Sequence, residues 1–119
     1  MLEGVGFALA DGMDVLHASG LQPSSITLIG GGARSPFWRQ MLADISGQRL
    51  EYRTGGDVGP ALGAARLAQI ALNPQRPLAE LLPELPLEQV HTPDAERHQQ
   101  YTALRSTFRE LYSRLLPLI

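Results

Sequence analysis

An α/β layer architecture follows from three features of this sequence. Strand-like and helix-like segments alternate through residues 1–73, each strand-like segment runs into a glycine turn, and each turn opens a helix-like segment. The periodic stretch at the start places Leu2, Val5, Leu9, Met13 and Leu16 at helical spacing, with Glu3, Asp11, Asp14 and His17 falling largely between them. No N-cap residue precedes it, so the helix is expected to be frayed or cut. We read it as cut, the chain being the C-terminal part of something longer. Ser19-Gly20 is a stop signal, and Pro23-Ser24-Ser25 turns the chain.

Ile26-Thr27-Leu28-Ile29 is apolar and rich in β-branched residues, as a short buried strand requires. Gly30-Gly31-Gly32 ends it, and Ser35-Pro36 starts a helix with a capping hydroxyl and a ring-fixed φ. That helix should run from Pro36 to Ser46, bury Phe37 or Trp38 with Met41, Leu42 and Ile45, and close at Gly47. Leu50-Glu51-Tyr52-Arg53 is a weaker, alternating strand. A second glycine loop, Thr54-Gly55-Gly56-Asp57, leads through Gly59-Pro60 into a third helix ending at Asn73-Pro74. Its Gly59, Ala61, Gly63, Ala64, Ala65, Ala68 and Ala71 predict close packing against a neighbour rather than ligand contact.

Residues 74–93 carry Pro74, Pro77, Pro83, Pro86 and Pro93 and are expected to form an ordered connector, pinned by Leu78, Leu81, Leu82, Leu85 and Leu87. A terminal helix over 94–116 follows from Thr92-Pro93, the acidic Asp94 and Glu96 at its positive end, and the stripe Tyr101, Leu104, Phe108, Leu111 and Leu115. Two strands are too few for a sheet that stands alone, which again points to sequence beyond this chain.

The chain's 119 residues suit one modest domain, and their 44% hydrophobic content is ordinary for a globular protein. A formal net charge of −2 leaves no basic surface for nucleic acid, and no apolar run is long enough to span a membrane. With no cysteine there are neither disulfides nor thiolate metal sites, as suits a reducing cytoplasm.

The chemistry centres on Gly30-Gly31-Gly32. A strand running through glycines into a capped helix lets backbone N–H groups and the helix dipole meet an anion, although the same residues serve equally as a turn. No lysine follows, so the P-loop pattern fails. The dinucleotide fingerprint nearly fits at Gly30, Gly32 and Ser35, with Glu51 about twenty residues on in place of the ribose-binding acid. An oxidoreductase's dinucleotide-binding module is therefore the competing reading, weakened by the helix before the first strand. A module keeping the fold without catalysis is a third.

Other groups have plainer readings. His17, His91 and His98 lack partners at metal-ligand spacing and are expected on the surface. Asp11 and Asp14 could face a cleft but suit solvent or a cap; Asp57 could line the same mouth as the first glycine loop but better suits a turn or an N-cap; Ser35 is itself a good N-cap, and Trp38 suits the core.

The stretch Gly30-Gly31-Gly32-Ala33-Arg34-Ser35-Pro36-Phe37-Trp38-Arg39-Gln40-Met41-Leu42-Ala43-Asp44 resembles the Gly-Gly-Gly-Ala-x-Ser-x-x-Trp-x-Gln-x-x-Ala-Asp segment of the FGGY carbohydrate kinases. Leu2 to Leu9 and Gly59 to Ala65 carry the likeness further, so that it covers nearly the whole chain. The resemblance implies part of the C-terminal domain of an actin-like, ribonuclease-H-type sugar kinase, with ATP and Mg2+ held between two domains. Nucleotide contact is then expected at Gly31, Gly32 and Ala33, and with them Gly30 and Ser35. The N-terminal domain, outside this chain, would supply most of the site for a pentulose sugar, the first phosphate loop and the catalytic aspartate. No catalytic base transfers to Asp11, Asp44 or Asp57. A homodimer is compatible with this reading.

Overall fold

The computed structural model describes residues 1–118. Helix α1 spans Leu2–Ala18, strand β1 Thr27–Leu28, helix α2 Pro36–Ser46, strand β2 Leu50–Arg53, helix α3 Gly59–Leu72, the single turn α4 Leu78–Leu81, strand β3 Leu87–His91 and helix α5 Ala95–Leu115. Short 3₁₀ turns at Gly31–Arg34 and Gly56–Val58 stand before α2 and α3, and a third closes the described chain at Leu116–Leu118.

The boundaries of α2 follow from its sequence. Ser35 Oγ accepts the Trp38 amide at 3.2 Å, Pro36 takes the first turn, and Gly47 leaves the helix at φ 66°. Glycine is doubly required there, since a side chain at Gly47 would also meet the His98 ring at 2.7 Å. At the other end of the chain, Met1 offers α1 no side-chain cap, as the sequence predicts.

The three strands form one sheet in the order β1-β2-β3, with β1 parallel and β3 antiparallel to β2. Strand β3 is a correction. Residues 74–93 are expected as a connector, yet they hold α4 and a five-residue strand. Pro86 and Pro93 flank β3 and disguise it. Because it lies at the edge, prolines outside the ladder cost it nothing. Of the expected leucine pins, Leu81 is buried, whereas Leu78 and Leu87 are exposed.

The core lies on two sides of α2. Phe7, Ala10, Met41 and Ile45 form one cluster, closed by Trp38, Tyr101 and Phe108; Leu42, Ala43 and Leu50 form the other, with Ile26, Leu28 and again Trp38. Phe7 packs edge-on to Tyr101 at 6.2 Å and tilted against Phe108 at 5.6 Å, which docks α5 on α1. Asp11 and Asp14 neither face a cleft nor cap a helix: both are ion-paired to Arg105 and Arg109 of α5 at 2.6 to 2.8 Å.

Two packing expectations fail. The apolar stripe of α1 is not its buried face, since Leu2, Val5, Leu9 and Leu16 all stay exposed while Gly6, Phe7 and Ala10 face inward. Small residues at 6 and 10 let α1 approach α2 closely, and that approach selects the face. The small-residue helix α3 buries no residue at all, and a side chain at Gly63 would meet open space. In consequence the chain exposes 8119 Å², against about 6300 Å² for a compact protein of its mass. Its radius of gyration of 17.5 Å likewise exceeds the roughly 13.5 Å of a compact domain of this length.

The approach of α1 to α2 is tight enough to test. A Cβ added at Gly6 would stand 2.5 Å from Ile45 Cδ1 and no closer than 3.6 Å to any other atom. Gly6→Ala should therefore destabilise the chain by about 1–3 kcal/mol. Ile45→Val, which deletes that carbon, should cost about 1 kcal/mol alone but remove most of the Gly6→Ala penalty in the double variant. Urea unfolding of the four proteins measures the coupling, and strictly additive changes would count against the packing described.

Candidate functional site

Because β1 and β2 are parallel, both end at the same edge of the sheet, and both run into a glycine turn there. This is where open α/β sheets place their ligands, outside the carboxyl ends of adjacent strands. The two turns are joined directly. The Gly30 amide donates to Gly56 O at 2.7 Å, and Arg34 pairs with Asp57 at 2.9 Å. Asp57 is thus neither a cap nor a simple turn residue; Val58 holds the N-cap position of α3 without a side-chain bond.

Gly30 stands at φ 95° and ψ 170°, a backbone region that only glycine occupies readily. Gly31 and Gly32 begin the 3₁₀ turn and are exposed, whereas Ala33 is buried. A Cβ added at Gly31 would meet nothing within 4 Å, while one at Gly32 would touch the Trp38 indole at 3.3 Å. Gly31 therefore faces open space and Gly32 backs onto Trp38. The turn itself is held by Ala33 N–H to Gly30 O at 2.9 Å and Ser35 N–H to Gly32 O at 3.1 Å. Ser35 Oγ is committed to capping α2.

Behind the turn lies a polar network that sequence reasoning missed. Arg39 of α2 is 5% exposed and donates from Nη1 to Ala33 O at 2.6 Å, from Nη2 to Gln89 Oε1 at 2.6 Å and from Nε to His91 Nε2 at 3.0 Å. Its guanidinium also lies 4.1 Å from the centroid of the Tyr52 ring. An arginine always donates, so His91 Nε2 must be the acceptor and the ring proton sits on Nδ1, which donates to Gln40 Oε1 at 3.1 Å. Gln40 in turn donates to Asp44 Oδ1 and to Thr92 O, each at 2.9 Å. His91 is therefore a buried neutral imidazole, 3% exposed, rather than the surface residue expected. His98 likewise bonds Asp44 O at 2.8 Å.

Charges in this layer are settled locally. Burial opposes ionisation of Asp44, but the Asp94 amide, Arg97 and Gln40 together hold its carboxyl below the ordinary value. Glu51 is 5% exposed, and its carboxyl is held down by hydrogen bonds from Arg49 and Arg53. A residue so occupied is not free to bind a ribose. With β3 antiparallel to β2 as well, the dinucleotide-module reading loses its support. Among the described residues no group of three or more His, Cys, Asp or Glu gathers to hold a metal, and no helix is long and apolar enough to cross a membrane.

An open apolar trough of about 190 Å³ lies between α1, α2 and the strands, lined by Gly6, Leu9, Met13, Ile26, Leu28 and Leu50 among others. None of its lining residues belongs to either glycine turn.

His91 makes stability depend on pH with a definite sign. Burial first, and then the Arg39 charge, lower its pKa, while Asp44 opposes them. The folded chain thus binds fewer protons than the unfolded one. The stabilisation is complete above the unfolded imidazole's pKa and drains away as the pH falls toward the depressed native value. The urea midpoint should fall between about pH 7.5 and about pH 5.5, and His91→Gln should flatten that part of the profile.

Comparison with known proteins identifies the family. The C-terminal domain of the FGGY family of carbohydrate kinases matches residues 1–72. The xylulose kinase of Escherichia coli is 73% identical over all 119 residues, and that of Klebsiella pneumoniae 60% identical over the same span. The chain spans about a quarter of each relative's length, 25% and 24%. The crystal structure of ligand-bound xylulose kinase from Lactobacillus acidophilus superposes with a TM-score of 0.77 at 27% identity, over 97% of this chain and 23% of that one. The chain belongs to the FGGY family of carbohydrate kinases, its residues 1–72 matching that family's C-terminal domain.

Proposed function

We propose that this chain forms the nucleotide-holding wall of an ATP-dependent sugar kinase, one that transfers the γ-phosphoryl group of ATP to D-xylulose and yields D-xylulose 5-phosphate. The observation that carries the proposal is the placement of two glycine turns side by side at the carboxyl ends of parallel strands. The N–H groups of Gly31 and Gly32 open a 3₁₀ turn on the exposed side, and the missing Cβ at Gly31 leaves room for a phosphate to approach. On this reading Gly30 fixes the turn, Gly31 and Gly32 meet the nucleotide, and Ala33 anchors the turn from behind. Ser35, engaged as a cap, serves it indirectly.

The donor set suits polyphosphate and offers no cluster of metal ligands, since the Asp57 carboxylate is paired with Arg34. Mg2+ would arrive on ATP, neutralising the charge that develops on the transferred phosphoryl group. We assign the sugar pocket and the base that accepts the sugar's hydroxyl proton to the N-terminal domain of such a kinase. Phosphoryl transfer needs both walls of a closing cleft, because most of its catalysis is positioning and charge neutralisation. The exposed α1 stripe, the apolar trough and the uncovered length of α3 support a large apolar contact with the remainder of the kinase. Residues 1–73 then form the nucleotide-holding piece, 74–93 the connector that returns through β3, and 94–116 the closing helix. The absence of cysteine fits the cytoplasm, where such an enzyme would work.

Two measurements test the proposal. By itself the chain should bind ATP weakly in a calorimetric titration and should not turn over D-xylulose; tight binding or turnover would overturn the division of labour. Gly31→Ala should leave stability within about 0.5 kcal/mol, since its Cβ meets nothing, yet weaken ATP binding several-fold. Gly30→Ala, by contrast, should cost about 1–3 kcal/mol of stability because of its backbone angles. Equal ATP affinity in the wild type and Gly31→Ala would remove the turn from the site.

A further inference from the structure

We propose that Arg39 is the positioning residue of the nucleotide turn, fixing Gly30 to Ala33 through the Ala33 carbonyl, and that it is itself set by Gln89 and His91 of β3. The proposal rests on the reading of the turn as a nucleotide contact and adds to it a group that never touches the ligand.

Arg39 is buried, yet every acceptor it reaches is neutral: a backbone carbonyl, an amide oxygen and an unprotonated imidazole nitrogen. A cation withdrawn from water without a carboxylate is costly and persists only where its donors are well placed. Here the planar fork spends its donors on three acceptors in two separate elements, the glycine turn and β3, and the Tyr52 face covers it. The bond to Ala33 O is one of its two shortest at 2.6 Å, and it reaches the one buried residue of a turn whose first residues stand in the open. With Ala33 held, Gly31 and Gly32 lose the freedom that three successive glycines would otherwise have. Their N–H groups are then oriented before any ligand arrives, which lowers the ordering cost of binding. The retained positive charge behind the turn also favours an anion in front of it over a neutral group.

The latch has a second consequence. Gln89 and His91 lie 50 and 52 residues from Arg39, beyond the residues 1–72 that match the family domain. The C-terminal segment thus completes the turn from beyond the matched residues. Gln89 is exposed, so replacing it leaves the core intact.

Arg39→Met, Arg39→Lys and Gln89→Ala should be compared with the wild-type chain in two readouts. In nitrogen–proton correlation spectra without ligand, the Gly31 and Gly32 amide resonances should move in all three variants. In titrations followed by the single tryptophan, Trp38, whose ring lies against Gly32, Arg39→Met should weaken ATP about tenfold, Arg39→Lys less, and adenosine binding should stay unchanged. Equal losses for ATP and adenosine would mark Arg39 as merely structural and overturn the proposal, as would unmoved glycine resonances. Should Arg39→Met not fold, Gln89→Ala decides by the same criteria. A wild-type chain that binds no ATP sinks the nucleotide reading, while glycine resonances that move in Gln89→Ala would still uphold the latch.

Discussion

Helix α2 is short and has almost no face left for solvent between Arg39 and Ile45, and the rest of the chain is arranged to meet that constraint. A helix enclosed in this way is ordinarily apolar all round. This one buries Arg39 and Asp44 among its apolar residues, so each needs hydrogen-bond partners beyond those the helix supplies. Strand β3 brings Gln89 and His91 to Arg39; the start of α5 brings the Asp94 amide and Arg97 to Asp44. The apolar positions recruit α1 and α5 on one side and the sheet on the other. The C-terminal segment is held less by its own leucines than by the polar demands of α2. Only two of its aromatic positions, Tyr101 and Phe108, reach the core cluster, whereas Leu104, Leu111 and Leu115 stay exposed.

Local signals explain which parts of this were legible in the sequence. The bounds of α2, the second strand and the start of α3 are written in capping hydroxyls, prolines and glycines that act on their immediate neighbours. The joining of the two glycine turns is anticipated only loosely, through Asp57, because it depends on β1 and β2 being parallel. Arg39 and His91 carry no local signal at all. One sits at an ordinary helical position and the other follows a proline-rich stretch, and their meeting is a property of the fold. The α1 stripe shows a different limit. Periodicity identifies an apolar face but not what covers it, and here Gly6 and Ala10 bring the opposite face into contact by being small. The same holds for α3, whose alanines and glycines permit close packing that the described chain provides at Gly59, against Ile29, but not at Gly63.

The uncovered surfaces have a common physical meaning. Folding is marginal, and exposed apolar area contributes nothing to it until something covers that area. The leucines of α1, the trough beside them and the bare length of α3 leave this chain larger in surface and in radius than a compact domain of its size. On the proposed reading, these faces meet the remainder of a kinase about four times as long, and the glycine turns stay open because the cleft must admit a nucleotide. Both kinds of exposure, apolar and glycine-lined, then serve the same two-walled arrangement.

The net charge of −2 gives no hint that an anion could be held here, and the reason lies in how the charges are spent. Asp11 and Asp14 are taken up by Arg105 and Arg109, Asp44 by Arg97, Glu51 by Arg49 and Arg53, and Asp57 by Arg34. The acidic groups nearest the turns are therefore already compensated. Among the described residues Arg39 alone is a cation buried with neutral partners, directly behind Ala33. Water screens the paired surface charges strongly and a buried cation far less, so a single uncompensated guanidinium outweighs several exposed ion pairs in the field felt at the turn. An anion site can thus sit on an acidic chain, provided that its one effective positive charge is the one that solvent does not reach.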